Sequence, residues 1–487
     1  MNSKLVFIYD NRNEINSSIS KIVGLSSYGD IIYKRKRLKN IVQNILLDLG
    51  IEVEFIQITT DRDVRKLINI LEYDDQNKIY VNYFSSTVIT NKENFKLLLE
   101  KCEYINEMMV VNKESPTMIV FNKFEEYKSF LLNETLVEPR NIVNKYEDIK
   151  EIGIDRCLIN ISTYTDFLKF FSGGFEARYF NSIKSDEYIV TKSSTNKKKM
   201  KAEHDYYYLL PENMKSWFVV PYNYVEEENV AKYSMERIKA PDVALQWVHE
   251  AISVDDFKKL IDKIMFFIVQ RAKRPIDKEK YFENMNKLYV KKVKERLEDL
   301  KKFEEYKSIE QIIKNTKYNS LDKIIDEYLE IYNEEIKKNK FKYVETIGHG
   351  DLCFSNMIYY KDIELLKFID VKGATKEEEL WMDPYYDLAK LSHSICGNYD
   401  FFNYDMADIV INNDMCLELK LEKRDTTKFI EIFKQKVEEN GYSYRLIRIF
   451  ELSLFLSMLP LHIDNQKKVL GFILNSIKIL EELKNGK

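Results

Sequence analysis

The chain has 487 residues, enough for about three structural units at roughly 150 residues each. Hydrophobic residues make up 45% of it and aromatic residues 13%, too much apolar material for a chain that stays disordered. Its 75 basic and 79 acidic residues cancel to a formal charge of −4, which excludes a whole-protein electrostatic grip on nucleic acid or an anionic membrane surface.

The first apolar run, KLVFIYD, ends at Asp10 and is shorter than the roughly 7–15 apolar residues of a secretory signal, so it reads as a buried strand. IEVEFIQIT, KIYVNYF, EMMVVN and TMIVFN read as further strands. Between them LKNIVQNILLDLG and VRKLINILEY carry apolar residues at helical spacing, with Gly50 placed as a C-cap. This alternation predicts an α/β, Rossmann-like domain over residues 1–155 with a mostly parallel sheet. Residues 156–240 then read as a β-rich unit. From residue 241 to 487 the pattern is mainly helical, with a charged helical insertion around 276–315.

The short basic runs at 34–37 and 197–199 read as solvated faces. Five cysteines (Cys102, Cys157, Cys353, Cys396, Cys416) are scattered without a CxxC pair, which argues against a disulfide framework or zinc knuckle and fits a reducing cytoplasm. The longest later apolar stretch, near 452–461, falls short of the ~20 residues a membrane-spanning helix needs.

The most informative segment is His349-Gly350-Asp351-Leu352-Cys353-Phe354-Ser355-Asn356, followed by a strand ending at Asp370. Phosphoryl transfer from ATP needs a carboxylate beside the attacking hydroxyl and oxygen ligands that hold Mg²⁺ against the phosphates. Asp351 is the candidate base, Asn356 and Asp370 the candidate metal ligands, and His349 a support for the loop. Upstream, in the order such a site requires, stand a turn at Gly173 and Gly174, then Lys192 at a strand end for the phosphates. Glu203 follows on a helix as its ion-pair partner, and then a linker, Met235-Glu236-Arg237-Ile238, whose backbone can receive an adenine edge.

The string HGDLCFSNMIYY, then LLKFIDVKG, then WMDPYYDLAKLSHSI resembles the aminoglycoside phosphotransferase/choline kinase family of small-molecule kinases, distant relatives of protein kinases. The resemblance spans roughly residues 158–487 and is strongest from Gly348 to Ile395. It implies a bilobal, protein-kinase-like α+β fold, with an N-lobe over 156–240 and a helical C-lobe over 241–487. It also implies Asp351 as base, Asn356 and Asp370 on magnesium, and Asp387 as a structural support for the loop. The glycine turn FSGGFEARYF has little glycine for a phosphate loop, and Lys372 follows the metal site.

For the acceptor, Trp247, Trp381, Tyr385, Tyr386, Tyr399 and Glu377–Glu379 are candidates for a cation-binding lining. Lys372, Arg445 and His462 would instead suit a sugar or an anionic compound. Strings like the one from Asp383 recur in kinase-like proteins of bacterial surface-polysaccharide pathways. That resemblance implies a sugar or related hydroxyl compound as substrate, with an aminoglycoside, choline or amino-alcohol kinase, or a nucleotide-binding pseudokinase scaffold, as alternatives.

Residues 1–150 are similar in layout to sugar nucleotidyltransferases. Where those enzymes need a glycine-rich loop and a metal-binding aspartate, this chain has DNRNEINSS and Ser85-Ser86, so a degenerate binding or scaffolding domain is expected. A nucleotidyl product passed on to the kinase is the other reading.

Overall fold

The computed structural model describes all residues except 1–4, 26, 34–35, 52, 73–77, 134–148, 154–156, 172–180, 186–187, 413–416, 422–424 and 487. The chain packs as two compact units, residues 1–174 and 175–487.

In the first unit the main strands are β1 (Leu5–Asp10), β2 (Val53–Ile58), β3 (Ile79–Phe84), β4 (Thr87–Ile89), β5 (Met109–Val111), β6 (Met118–Phe121), β7 (Lys150–Glu151) and β8 (Leu158–Asn160). Its main helices are α1 (Leu38–Asp48), α2 (Asp61–Leu71), α3 (Lys92–Cys102), α4 (Phe124–Asn133) and α5 (Tyr164–Phe171). The main sheet runs β2-β1-β3-β6-β5-β7. Every residue of β1 is buried because both faces are covered. Leu5, Phe7 and Tyr9 pack with Val42 and Ile45 of α1 and Leu98 of α3, while Val6 and Ile8 pack with Leu67 of α2 and Phe130 of α4.

β1 pairs in parallel with β2 and β3, and β5 with β7, while β6 runs antiparallel to both β3 and β5, so the sheet is mostly parallel with the one strand β6 reversed. Residues 112–117 are too few for a parallel crossover, which takes a dozen or more, and they close a hairpin instead. The boundary expected after residue 155 moves. Strand β8 pairs antiparallel with β4, which keeps it in the first unit.

The second unit begins with an antiparallel sheet, β9 (Asn181–Ser185), β10 (Ile189–Ser194), β11 (Pro221–Glu226) and β12 (Ala231–Glu236), in the order β9-β10-β12-β11. Helix α6 (Lys197–Leu209) presents Met200, Glu203 and Tyr206, three residues apart on one face, as its buried side chains. The remainder is mainly helical: α7 (Val254–Gln270), α8 (Lys278–Met285), α9 (Lys292–Lys301), α10 (Tyr306–Ile313), α11 (Leu321–Lys338), α12 (Tyr386–Ile395), α13 (Thr427–Glu439), α14 (Tyr444–Met458) and α15 (Gln466–Lys484). Between α11 and α12 come β14 (Val344–Ile347), the hairpin of β15 (Met357–Tyr360) and β16 (Leu365–Phe368), and β17 (Trp381–Met382). With β13 (Lys273–Pro275), strands β14 and β17 form a small sheet in the order β13-β14-β17.

The charged stretch at 276–315 is amphipathic and belongs to this core. Its apolar stripe, Tyr281, Met285, Tyr289, Val293 and Leu300, joins the cluster around α14, and Tyr289 stacks on Phe450 with ring centroids 4.0 Å apart. Among the described residues, no helix is long and apolar enough to cross a membrane.

Candidate active site

The alternation of β10 decides the position of Lys192. Val190, Lys192 and Ser194 share its buried face, so the lysine points inward although its ammonium is charged. It reaches Glu203 Oε2 at 2.6 Å, and Tyr233 donates a further hydrogen bond to that oxygen at 3.0 Å. Lys192 Nζ also lies 2.9 Å from Asp370 Oδ1. Burial alone would pull the lysine's pKa down, but the Asp370 and Glu203 carboxylates outweigh it, and the net shift is upward. Asp370 itself follows β16 with φ of 56°, a left-handed turn at the strand end.

The segment 348–356 is held from below by one face of α12. Asp387 accepts from the backbone N–H of His349 at 2.9 Å and of Gly350 at 2.8 Å. Its charge is met by Arg271 at 2.7 Å, both side chains being fully buried. One turn on, Lys390 Nζ lies 2.9 Å from Asp351 Oδ1. Ser394 Oγ then accepts from Phe354 N–H at 3.1 Å. Positions i, i+3 and i+7 of a helix lie on one face, so a single helical stripe fixes the loop from residue 349 to 354. Gly348 is packed where a Cβ would meet Met382 Sδ at 2.2 Å, so the loop leaves no room for a side chain there.

His349 is fully buried. Its Nδ1 accepts from Asp351 N–H at 3.1 Å and its Nε2 donates to the Ile369 carbonyl at 2.9 Å, which assigns the neutral Nε2–H tautomer. Burial lowers its pKa, in keeping with a neutral ring that braces two strands of backbone. Asn356 Nδ2 donates to the Asp351 carbonyl at 2.8 Å and to Asp351 Oδ2 at 3.2 Å, which turns its own amide oxygen away from those partners. Asp351 N–H and carbonyl, Asn356 and Asp370 are thereby tied into one small region: Ile369 N–H donates to the Asn356 carbonyl at 3.0 Å.

The segment after Asp370 docks on the helix that carries Glu203. Ala374 N–H donates to Ala202 O at 2.9 Å, and Gly373, at φ 87°, would put a Cβ within 2.7 Å of the Ala202 carbonyl carbon. Lys372 contributes its backbone N–H to His349 O at 3.0 Å, while its side chain is exposed and its stem lies against Gly350.

Other expected residues are placed as follows. Gly173 and Gly174 lie outside the described residues. Met235 and Glu236 pair with Val190 and Ile189 at the end of the sheet. Arg237 N–H donates to Tyr188 O at 2.8 Å, and Ile238 O accepts from Ala240 N–H at 2.9 Å, so these two linker groups are engaged within the chain. Arg445 is a correction. Its Nε lies 2.9 Å from Glu335 Oε2 and its Nη1 donates to Leu483 O at 2.7 Å, which ties α14 to α11 and to the last turn of α15. Carbonyls of a last helical turn lack intrahelical partners, and an arginine is well suited to them, so packing takes this side chain away from the substrate role expected for it. His462 packs edge-on against Phe472 with centroids 5.5 Å apart.

The candidate cation-binding aromatics already have partners. Trp247 packs edge-on against Phe354 and Phe429 in the core. Trp381 carries the Arg274 guanidinium 4.4 Å from its ring centroid, and Tyr399 stacks on His393. Tyr385 lies edge-on to Tyr442 and Phe450.

Two contributors escaped the sequence reading. Arg271 had no motif to announce it. Lys390 did have a signal, because it stands three residues after Asp387 on the same helix and must reach the same loop.

As to a metal, the candidate donors are the Asp370 carboxylate and the Asn356 amide oxygen, whose backbones are neighbours through the Ile369 N–H bond to the Asn356 carbonyl. Both are hard oxygen ligands, and two such groups suit Mg²⁺, which usually keeps several waters and takes phosphate oxygens as its remaining ligands. Among the described residues no group of three or more His, Cys, Asp or Glu could hold an ion without such help.

No family model matches the chain, and no curated protein does. Solved structures show a distant likeness. An aminoglycoside phosphotransferase in ternary complex with AMP-PNP and hygromycin B is 12% identical, covering 65% of this chain and 98% of its own, with a TM-score of 0.39. A protein assigned as a fructosamine-3-kinase from Haemophilus somnus 129PT is 13% identical over 62% of this chain and 92% of its own, with a TM-score of 0.35. An aminoglycoside phosphotransferase from Streptomyces rimosus in complex with ADP and streptomycin is 14% identical over 56% and 88%, with a TM-score of 0.34.

Proposed function

We propose that residues 175–487 form a Mg²⁺-dependent ATP phosphotransferase acting on a hydroxyl of a small metabolite. The observation that carries this reading is that Lys192 contacts Glu203 and Asp370, Asn356 contacts Asp351, and a backbone bond from Ile369, beside Asp370, to Asn356 joins the two groups, although the residues span 192 to 370. Chance motif matches have no reason to meet in space.

In this reading the Lys192 ammonium, fixed by Glu203, holds the donor phosphates. Asn356 and Asp370 hold Mg²⁺, which when bound neutralises charge on the phosphate oxygens. Asp351 orients the acceptor hydroxyl and takes its proton as the oxygen bonds to the γ-phosphorus. The bond from that phosphorus to the β,γ-bridging oxygen breaks, and its electron pair leaves on ADP. His349, Asp387 and Arg271 keep the loop in place and do not touch the reacting atoms.

For the acceptor, an uncharged or anionic hydroxyl compound fits better than an amine. A sugar or related intermediate of surface-polysaccharide assembly is our reading. Lys390 and Lys372 lie around the HGD loop, and the aromatic rings named above are engaged by the protein itself. A pseudokinase scaffold is the second reading, favoured by the glycine-poor sequence FSGGFEARYF.

One assay series separates them: calorimetric titration with Mg–ATP, then ATP consumption against sugars, amino alcohols and aminoglycosides, for wild type and D351N. Mg–ATP binding in both, with turnover lost by about 10²–10⁴-fold in D351N, is expected for a general base. Full turnover in D351N overturns the mechanism, and binding without any turnover in the wild type favours the scaffold.

A further inference from the structure

We infer that Lys390 is a positioning residue for Asp351, an inference that rests on the phosphotransferase reading and deepens it. The helix face of α12 makes three attachments to the loop, and they differ in kind. Asp387 and Ser394 bind backbone N–H groups, at His349, Gly350 and Phe354. Lys390 alone of the three addresses a side chain, and that side chain is the candidate base.

The loop does not need Lys390 for its path. Asp387 with Arg271 on one side and Ser394 on the other already fix the backbone at both ends of Asp351. A lysine is a costly residue to place here, because its side chain is 14% exposed and the burial of an ammonium is compensated only by a close counter-charge. The counter-charge is Asp351, whose side chain is 33% exposed and so open on its other side. Burial would lower the lysine's pKa, yet Asp351 outweighs it and the shift is upward, so the ammonium stays charged.

Two consequences follow for the reaction. Oδ1 of Asp351 is held by Lys390 and Oδ2 is touched by Asn356 Nδ2 at 3.2 Å, so the carboxylate plane is set before any acceptor arrives. Oδ2 is then the oxygen that receives the hydroxyl proton. Secondly, the Lys390 charge offsets that of Asp351, so the triphosphate can come close to a carboxylate without paired like-charge repulsion. A methionine at 390 keeps the volume and loses both effects.

The test uses the full chain and Mg–ATP, with water as acceptor and phosphate release as the readout, for wild type, K390M, K390R and the pair D351N and D351N/K390M. K390M is expected to lower kcat by at least about tenfold while KM and the calorimetric dissociation constant for Mg–ATP stay within about threefold. K390R should recover several-fold over K390M, because a cation returns beside Asp351. In the D351N background K390M should cause no further loss, since Lys390 acts through Asp351.

A K390M enzyme with wild-type kcat overturns the inference. So does one whose loss appears as weaker Mg–ATP binding, or a K390R no better than K390M. If K390M alone does not fold, K390Q takes its place, because its uncharged amide can still donate to Asp351 Oδ1, with the same expected loss in kcat and wild-type kcat overturning the inference. A wild-type protein that binds no Mg–ATP, or consumes no ATP with water and with every acceptor of the series above, overturns the phosphotransferase reading itself.

Discussion

Lys192 bridges two carboxylates from distant parts of the chain, Glu203 at 2.6 Å and Asp370 at 2.9 Å. The second contact ties the cation that would meet phosphates to a carboxylate that would hold magnesium. Metal binding to Asp370 therefore competes with Lys192, whereas Mg²⁺ arriving with ATP brings phosphates that give the lysine a new partner.

From this we expect Mg²⁺ alone to raise the melting temperature little and Mg–ATP to raise it clearly more, with ATP and metal binding cooperatively. K192M should lose that coupling and lower kcat/KM for ATP by about 10²-fold, a loss of ~3 kcal/mol of transition-state stabilisation. Thermal shift and steady-state kinetics measure both. An equal shift by Mg²⁺ with and without ATP would contradict the competition.

Gly373 offers a different test. Its φ of 87° is a left-handed conformation, and an added Cβ would lie within 2.7 Å of backbone atoms of Ala202 and within 2.8 Å of Glu203 N. Neighbouring backbone on α6 cannot move as a side-chain tip can. G373A should destabilise by about 1–3 kcal/mol and displace the Asp370 turn from the helix that bears Glu203. Turnover should fall more than stability alone explains, as seen by comparing activity at 25 °C with urea unfolding.

The Arg271–Asp387 pair is buried with no exposure on either side chain. Removing one partner strands the other charge, which typically costs about 3–5 kcal/mol. R271A and D387N should each lower stability severely, D387N at least as much because the stranded guanidinium, unlike a carboxylate, cannot shed its charge. Hydrogen exchange at His349 and Gly350 would report the freed loop directly, and unchanged protection would count against the role assigned to Asp387.

Asp400 provides a pH signature. It is fully buried, and burial pushes its pKa from 3.8 up to about 7, with Asp242 adding to the rise and Lys468 and a Ser394 hydrogen bond opposing it. Between those two values the folded chain keeps a proton that the unfolded chain has lost. The group's contribution to stability is therefore complete below pH ~4 and is lost as pH rises through about 7. D400N should be more stable than wild type at pH 8, by on the order of 1–3 kcal/mol, with the advantage shrinking toward pH 4. An advantage independent of pH would contradict this reading.

Much of the candidate site was legible in order. The H-x-D-x-x-x-x-N segment, Lys192, Glu203 and Asp370 all stand in motif context, whereas the inward face of Lys192, within β10 and not at its end, came from the structure. Periodicity also showed that α1 and α2 are amphipathic and that β1 is a strand buried on both faces. It could not show that β6 runs antiparallel, because strand direction depends on the length of the preceding connection and on which neighbour it meets. Arg445 misled for a related reason. A basic residue on a helix looks the same in sequence whether it faces a cleft or the end of another helix, and here Leu483 and Glu335 take it.

By itself, then, the sequence determined which chemical groups are available and in what order, because hydrophobic period and short motifs are local properties. Near-zero net charge and 487 residues allowed several units but named none of their chemistry. Only the tertiary structure decided the charge partners. It placed Asp370 against Lys192, Lys390 against Asp351 and Arg271 against Asp387, pairs separated by 178, 39 and 116 positions. Electrostatics in a buried site acts over a few ångströms of space regardless of separation along the chain, and no local pattern encodes that distance.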